Sequence, residues 1–126
     1  MEAAIRATAL IVTLALLSFS VARTVRAQDA VKVDRKHYKV DFENDQVRVV
    51  RVHIGPREKT AMHDRRASVV VFLTDNHVKF TFPDGKTEEH SDAKAGQARW
   101  ATPLRYSAEN LSDKPLSLIY VEPKAK

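Results

Sequence analysis

The sequence predicts an all-β domain that follows a short apolar N-terminal segment. From Tyr38 onward the apolar residues mostly alternate with polar ones, which is the two-residue period of half-buried strands. Turn-forming Gly, Pro, Asn and Asp residues divide this part of the chain into seven to nine short apolar segments. No stretch after residue 27 has the three- and four-residue apolar spacing of a long helix. These observations favour a β-barrel or a β-sandwich.

Residues 1–27 have the pattern of a secretory signal peptide. A basic start is followed by an uncharged stretch from 7 to 22 rich in Leu, Ile, Val and Ala, and small residues precede Gln28. The stretch is shorter than the roughly 20 apolar residues that span a bilayer. We therefore expect cleavage before Gln28, a secreted or periplasmic protein, and no stable membrane insertion afterwards. The alternative is an uncleaved membrane anchor, which Arg23 and Arg26 leave open.

Composition excludes several classes of protein. Residues 1–27 contain three of the 21 basic and one of the 16 acidic residues, so the mature chain has 18 and 15, a formal charge of +3. The basic residues are scattered among acidic ones, so we do not expect a nucleic-acid-binding face.

The chain has no cysteine, so the domain depends on its apolar core for stability. We expect one domain over 37–126, preceded by a loose N-terminal arm over 28–36.

The first two predicted strands lie on either side of a polar turn. Val40 and Phe42 form the first strand, which ends at Asn44-Asp45. The second strand runs over 47–54. Its adjacent valines at 49 and 50 break the alternation and predict a β-bulge.

The middle of the chain predicts a charged loop and three strands. The loop spans 57–66, and the continuous apolar run over 68–73 is typical of a strand buried on both faces. Residues 78–82 have the clearest alternation in the chain. The turn Pro83-Asp84-Gly85-Lys86 predicts a hairpin that returns over 86–90.

Three further strands complete the predicted barrel. Ala98 and Trp100 alternate with Arg99, and this spacing favours a core position for Trp100 over a role as a ligand platform. The last two strands are expected over 106–111 and 116–121.

Two short segments, Ala61–Arg66 and Pro103–Asn110, resemble the metal-binding motifs of small single-domain cupins. In that family the first motif carries a His-x-His pair and the second carries a third histidine shortly before an Asn. Here His63 matches, Arg65 occupies the place of the second histidine, and Tyr106 occupies the place of the third. The resemblance therefore describes a cupin with degenerate metal-binding motifs.

The resemblance extends from about residue 44 to residue 122 and implies a cupin-type double-stranded β-helix, or jelly-roll, barrel. In such a barrel His63, Arg65 and Tyr106 would face one pocket. The family also carries a glutamate a few residues after its paired histidines, whereas residues 67–70 contain no carboxylate.

Three interpretations of this pocket remain open. In the first, Arg65 binds a small acidic ligand through a bidentate guanidinium contact, Tyr106 adds a hydrogen bond, and Arg66 or Arg105 assists. In the second, His63 is a hydrogen-bonded rim residue and Arg65 is solvated. In the third, a divalent metal ion is bound by His63, the one remaining family ligand. Further ligands would then come from Tyr106, Glu109, His53, His77 or His90.

The sequence therefore favours an exported barrel that is non-catalytic or binds a small ligand, and it assigns no catalytic residue and no cofactor. The alternative is a metal-dependent cupin enzyme of the isomerase or dioxygenase type with an atypical site. A homodimer formed through edge strands is an expectation from the resemblance.

Overall fold

The computed structural model describes residues 28–125; the predicted signal peptide lies outside these residues. The described chain contains one short helix and nine strands. The helix α1 is Ala30–Val33. The strands in chain order are β1 Tyr38–Glu43, β2 Val47–Ile54, β3 His63–Arg65, β4 Ser68–Phe72, β5 Val78–Thr81, β6 Thr87–His90, β7 Ala98–Ala101, β8 Leu104–Asn110 and β9 Leu116–Pro123.

The strands form two antiparallel sheets that share one apolar core. One sheet has the order β1-β2-β9-β4-β7, and the other has the order β3-β8-β5-β6. The core contains residues from both sheets, so the sheets enclose it as the two walls of a barrel. The all-β prediction is confirmed.

Strands β2 and β9 build the centre of the core. Their buried side chains alternate, and the cross-strand pairs Ile54–Leu116, Val52–Leu118 and Val50–Tyr120 all face inward. Each buried aliphatic side chain of this size stabilises the fold by roughly 1.5–3 kcal/mol relative to exposure.

The double valine predicted a bulge in β2, but the bulge lies in β1, the strand that pairs with it. The register of β1 against β2 shifts between Val40 and Phe42, so that Asp41 is the additional residue opposite Val49 and Val50. The register of β2 against β9 is continuous. The irregularity is therefore in the edge strand β1, where an additional residue disturbs only one row of hydrogen bonds.

The prediction of an unbroken loop over 57–66 is wrong. Residues His63–Arg65 form β3, which pairs with β8 in the register His63–Tyr106 and Arg65–Leu104. Three residues are too few to show an alternating pattern, so pairing with a distant strand determines this element. The hairpin of β5 and β6 agrees with the prediction, and Gly85 takes the positive φ angle of 85° that its turn requires.

The N-terminal arm is packed against the barrel and is not loose. Asp29 pairs with Arg48 of β2, and Ala30 is buried in the core. The Gln28 N–H donates to the Asp64 carboxylate at 2.8 Å. These contacts join positions that are distant in sequence, so local composition could not reveal them. No helix among residues 28–125 has both the length and the apolar character that crossing a membrane requires.

Candidate functional site

The barrel contains a small inner cavity beside a wider outer cavity. The inner cavity measures about 70 Å³ and the outer cavity about 260 Å³. The two cavities adjoin, since six residues line both: Arg65, Val70, Phe72, Asn76, Val78 and Phe80. Four of the six are apolar, and Arg65 and Asn76 are the shared polar residues.

Tyr106 of β8 forms part of the inner wall. Its ring packs against Phe80 with the centroids 4.6 Å apart, and its hydroxyl lies 3.2 Å from the Tyr120 hydroxyl. Burial raises the pKa of the Tyr106 phenol well above its ordinary value. At neutral pH Tyr106 therefore contributes a hydrogen-bonding hydroxyl to the wall and no negative charge.

Arg65 brings a positive charge to both cavities. Its side chain is half-buried, its Nε–H donates to the Thr102 carbonyl at 2.9 Å, and its Cζ lies 5.3 Å from the centre of the Tyr106 ring. Within residues 28–125 no carboxylate lies within ion-pair distance of Arg65. Its terminal N–H groups make no hydrogen bond to those residues, so they are available to a ligand in the cavity.

His63 lies behind the cavity wall and lines neither cavity. Its ring is 1% exposed and packs between Tyr38 and Tyr106, with centroid distances of 4.7 Å and 4.8 Å. Its Nδ1–H donates to the Ala61 carbonyl at 2.7 Å. The structure thus brings His63, Arg65 and Tyr106 together, but only Arg65 and Tyr106 reach the cavity.

Burial lowers the pKa of His63 below its ordinary value, although the Ala61 carbonyl and the charges of Asp34 and Asp64 favour the protonated ring. The positive charge of Arg65 also lowers the pKa of His63, as burial does. The rings of Tyr38 and Tyr106 that face His63 are uncharged at neutral pH, because burial also raises the pKa of both phenols. His63 is therefore a neutral packing residue in the folded protein.

This shift predicts a pH-dependent stability. Between the lowered folded-state pKa of His63 and its ordinary value of 6.5, only the unfolded chain binds the proton. The contribution of neutral His63 is complete above that ordinary value, and it decreases as the pH falls below it by at most about 1.4 kcal/mol per pH unit. Urea unfolding between about pH 8 and about pH 5 should show a smaller decrease for His63→Gln than for wild type.

The exposed His53 supplies the matched control for this measurement, since its Nδ1 contacts the Ser117 hydroxyl at the surface. His53→Gln should keep the wild-type pH dependence. An unchanged pH dependence in His63→Gln would contradict the assignment of a neutral, buried His63.

The residues around His63 do not fit a resident metal ion. No three His, Cys, Asp or Glu side chains converge on one point in the part of the chain that the structure describes. Tyr106 and Arg65 occupy the other two places of the family motif, and they present a protonated phenol and a guanidinium, which is a cation itself. Such a donor set repels a divalent ion instead of binding it.

The other candidate metal ligands lie apart from His63. His77 is near Glu89, His90 is near Glu88, and Glu109 pairs with Lys79. His90 does line the outer cavity, where its ring packs against Phe80 with the centroids 4.8 Å apart.

The predicted assisting roles of Arg66 and Arg105 are wrong. Arg105 makes a two-bond ion pair with Asp64, at 2.7 Å and 3.0 Å, and lines neither cavity. Arg66 is exposed and lines neither cavity. Arg99 lies in the wall of the outer cavity instead, where it pairs with Asp92 at 3.3 Å.

Trp100 is 60% exposed, so its predicted core position is also wrong. Trp100 pairs with the outward-facing Val69, whereas its neighbour Arg99 pairs with the buried Val70. Ala101 is the one buried residue of β7, and Trp100 lies in the lining of the outer cavity.

Sequence reasoning missed Asn76. This residue follows β4 in a turn, is 7% exposed, and its Oδ1 has no hydrogen-bond partner within residues 28–125. It lines both cavities. In the sequence, Asn76 is one of many Asn and Asp residues that lie between predicted strands, and no local signal distinguishes it from the others.

Comparisons with known proteins identify the fold. The sequence matches no protein-family model, and no curated protein matches it significantly. A cupin domain from Bordetella pertussis Tohama I is similar with a TM-score of 0.61 at 23% identity, over 70% of this chain and 92% of that chain. A cupin domain from Schizosaccharomyces pombe gives a TM-score of 0.52 at 12% identity, over 70% of this chain and 64% of that chain.

A conserved protein with a double-stranded β-helix domain from Klebsiella pneumoniae gives a TM-score of 0.50 at 20% identity, over 67% of this chain and 72% of that chain. The chain therefore has the small single-domain cupin fold, as the resemblance implied. At these identities the likeness establishes the fold alone.

Proposed function

We propose that this chain is an exported, non-catalytic cupin-fold protein that binds a small acidic molecule in its barrel without a resident metal ion. The observation that carries the proposal is the position of Arg65 at the mostly apolar inner cavity, with no carboxylate partner among residues 28–125. A half-buried guanidinium gains most from a partner that is itself charged and planar, and a carboxylate accepts two parallel hydrogen bonds from it.

The surroundings of Arg65 support binding in preference to a reaction. Phe72, Phe80 and Val78 supply apolar surface for the body of a ligand. His63, the histidine of the family motif, is buried behind the wall and lines neither cavity. His90 and Asp92 line the outer cavity, whereas the described part of the inner cavity wall has no histidine, aspartate or glutamate. A general acid or base must reach the proton that it transfers, so the inner cavity beside Arg65 favours recognition over proton-transfer chemistry.

A matched pair of probes tests the proposal. 3-Phenylpropanoate carries a carboxylate, and 3-phenylpropanamide has nearly the same shape without the charge. We expect isothermal titration calorimetry to show tighter binding of the acid to the wild type. Arg65→Gln should weaken binding of the acid on the order of 10- to 100-fold, because a hydrogen bond to a charged group contributes about 1.5–3 kcal/mol. The amide should change little.

Arg66→Gln is the matched control, since it makes the same substitution at the next residue, which is exposed and outside both cavities. It should bind the acid as the wild type does. Equal binding of acid and amide to the wild type, or equal losses in the two variants, would show that Arg65 does not recognise a carboxylate.

Export and self-association belong to the same proposal. The support for export is the signal-peptide pattern of residues 1–27, and the exported protein should begin at Gln28 when its N-terminus is sequenced. The support for a homodimer is the pair of sheet edges formed by β1 and β7, which sedimentation would test.

A further inference from the structure

The side chain of Asn76 is a buried polar group whose acceptor is unused. Asn76 is only 7% exposed, and its Oδ1 has no hydrogen-bond partner among residues 28–125. A buried acceptor without a partner costs free energy, so native proteins rarely keep one unless a water molecule or a ligand satisfies it. Asn76 lines both cavities, so a molecule in the barrel can reach it.

The backbones of Asn76 and Arg65 lie toward opposite ends of strand β8, and both residues line both cavities. Arg65 pairs with Leu104 at the start of β8, whereas Val78, two residues after Asn76, pairs with Asn110 at the end of the same strand. These two positions on β8 are separated by roughly 20 Å of strand at about 3.3 Å per residue. Both residues reach the lining that the two cavities share, so they approach it from different ends of this strand.

Most of the lining that the two cavities share is apolar, whereas the wall of the outer cavity also contains His90, Asp92, Arg99 and Thr102. Val70, Phe72, Val78 and Phe80 line both cavities, and Ala101 continues the apolar wall of the outer one. The outer cavity of about 260 Å³ has room for on the order of ten non-hydrogen atoms, since one water takes about 30 Å³ of liquid. A ligand that contacts both Arg65 and Asn76 along this shared lining therefore meets an apolar surface between them.

We infer that the ligand is an elongated acid whose carboxylate binds Arg65 and whose opposite end carries a hydrogen-bond donor for the Asn76 Oδ1, with an apolar ring or chain between them. This inference rests on the proposed function and adds the class of ligand. A hydroxyl at the distal end satisfies the buried acceptor, whereas a hydroxyl next to the carboxylate end does not reach it.

Three acids that differ only in hydroxylation test the inference by calorimetry: 3-phenylpropanoate, 3-(4-hydroxyphenyl)propanoate and 3-(2-hydroxyphenyl)propanoate. The wild type should bind the 4-hydroxy acid on the order of tenfold more tightly than the acid without a hydroxyl, which corresponds to one buried hydrogen bond. The 2-hydroxy acid should show no such gain.

The Asn76→Ala variant should bind all three acids alike, within about threefold of the wild-type affinity for the acid without a hydroxyl. His77→Ala replaces the exposed neighbour outside both cavities and should keep the wild-type preference. If Asn76→Ala does not fold, the ranking of the three acids by the wild type still decides the question.

The outcomes separate the two proposals. If the three acids bind the wild type equally and all depend on Arg65, the proposed function stands and the inference about Asn76 is wrong. If none of the acids binds, or if binding does not depend on Arg65, both proposals are overturned. A preference for the 2-hydroxy acid would also overturn the inference, because it would place the donor at the wrong end.

Discussion

Arg48→Met is expected to lower the free energy of unfolding by about 3–5 kcal/mol, because it leaves the buried carboxylate of Glu122 and the partly buried carboxylate of Asp29 without their cation. Arg48 is 6% exposed and bonds to Asp29 at 2.7 Å and 2.9 Å and to Glu122 at 2.6 Å and 3.2 Å. Two carboxylates share this one guanidinium, which also attaches the N-terminal arm to β2 and β9. Urea unfolding at neutral pH measures the loss.

Arg51→Met is the matched control, since it makes the same substitution on the opposite face of the same strand. Arg51 is exposed and pairs with Asp41 at 2.7 Å at the surface, where an ion pair contributes less than about 1 kcal/mol. If the two variants lose similar stability, the buried ion pairs are not what stabilises the arm. Adding Asp29→Asn and Glu122→Gln to Arg48→Met should restore part of the loss, because the unpaired charges are then gone.

Asn110→Ala is expected to lower the free energy of unfolding by about 3–5 kcal/mol, because it removes all the hydrogen bonds that this buried side chain makes to backbone groups. Asn110 is fully buried, and its Nδ2 lies 3.1 Å, 3.1 Å and 2.8 Å from the carbonyls of Ile54, Gly55 and Lys114. Its Oδ1 accepts from the Ser112 N–H at 3.0 Å. One side chain thus connects the ends of β2 and β8 with the turn before β9.

Asn44→Ala provides the comparison for this substitution. Asn44 also bonds to two backbone N–H groups, those of Gln46 and Val47, but it lies in an exposed turn where water can replace the lost bonds. Its loss should stay near 1 kcal/mol, in the range of an ordinary intramolecular hydrogen bond. Thermal unfolding of both variants distinguishes the two sites, and equal losses would contradict a structural role for Asn110.

The fold was largely predictable because each longer strand carries its own signal. The apolar alternation predicted β2 and β5, and the turn residues around Gly85 predicted the hairpin to β6. By contrast, β3 and the packing of the arm arise from long-range pairing, for which a short segment carries no periodic signal.

The candidate site was predictable only in part. The motif resemblance placed His63, Arg65 and Tyr106 close together, and pairing of β3 with β8 brings them there. It could not show that His63 turns into the space between two tyrosine rings and lines neither cavity. Local pattern also missed Asn76, whose importance lies in being buried without a partner, a property of the tertiary structure.

The central claim is that Arg65 presents its guanidinium to a carboxylate within the barrel. The most direct test is a crystal structure of the protein with 3-phenylpropanoate bound. The proposal predicts the phenyl ring between Phe72 and Phe80 and both carboxylate oxygens at about 2.7–2.9 Å from the Arg65 nitrogens. An acid bound outside the two cavities, or within them but away from Arg65, would contradict the claim.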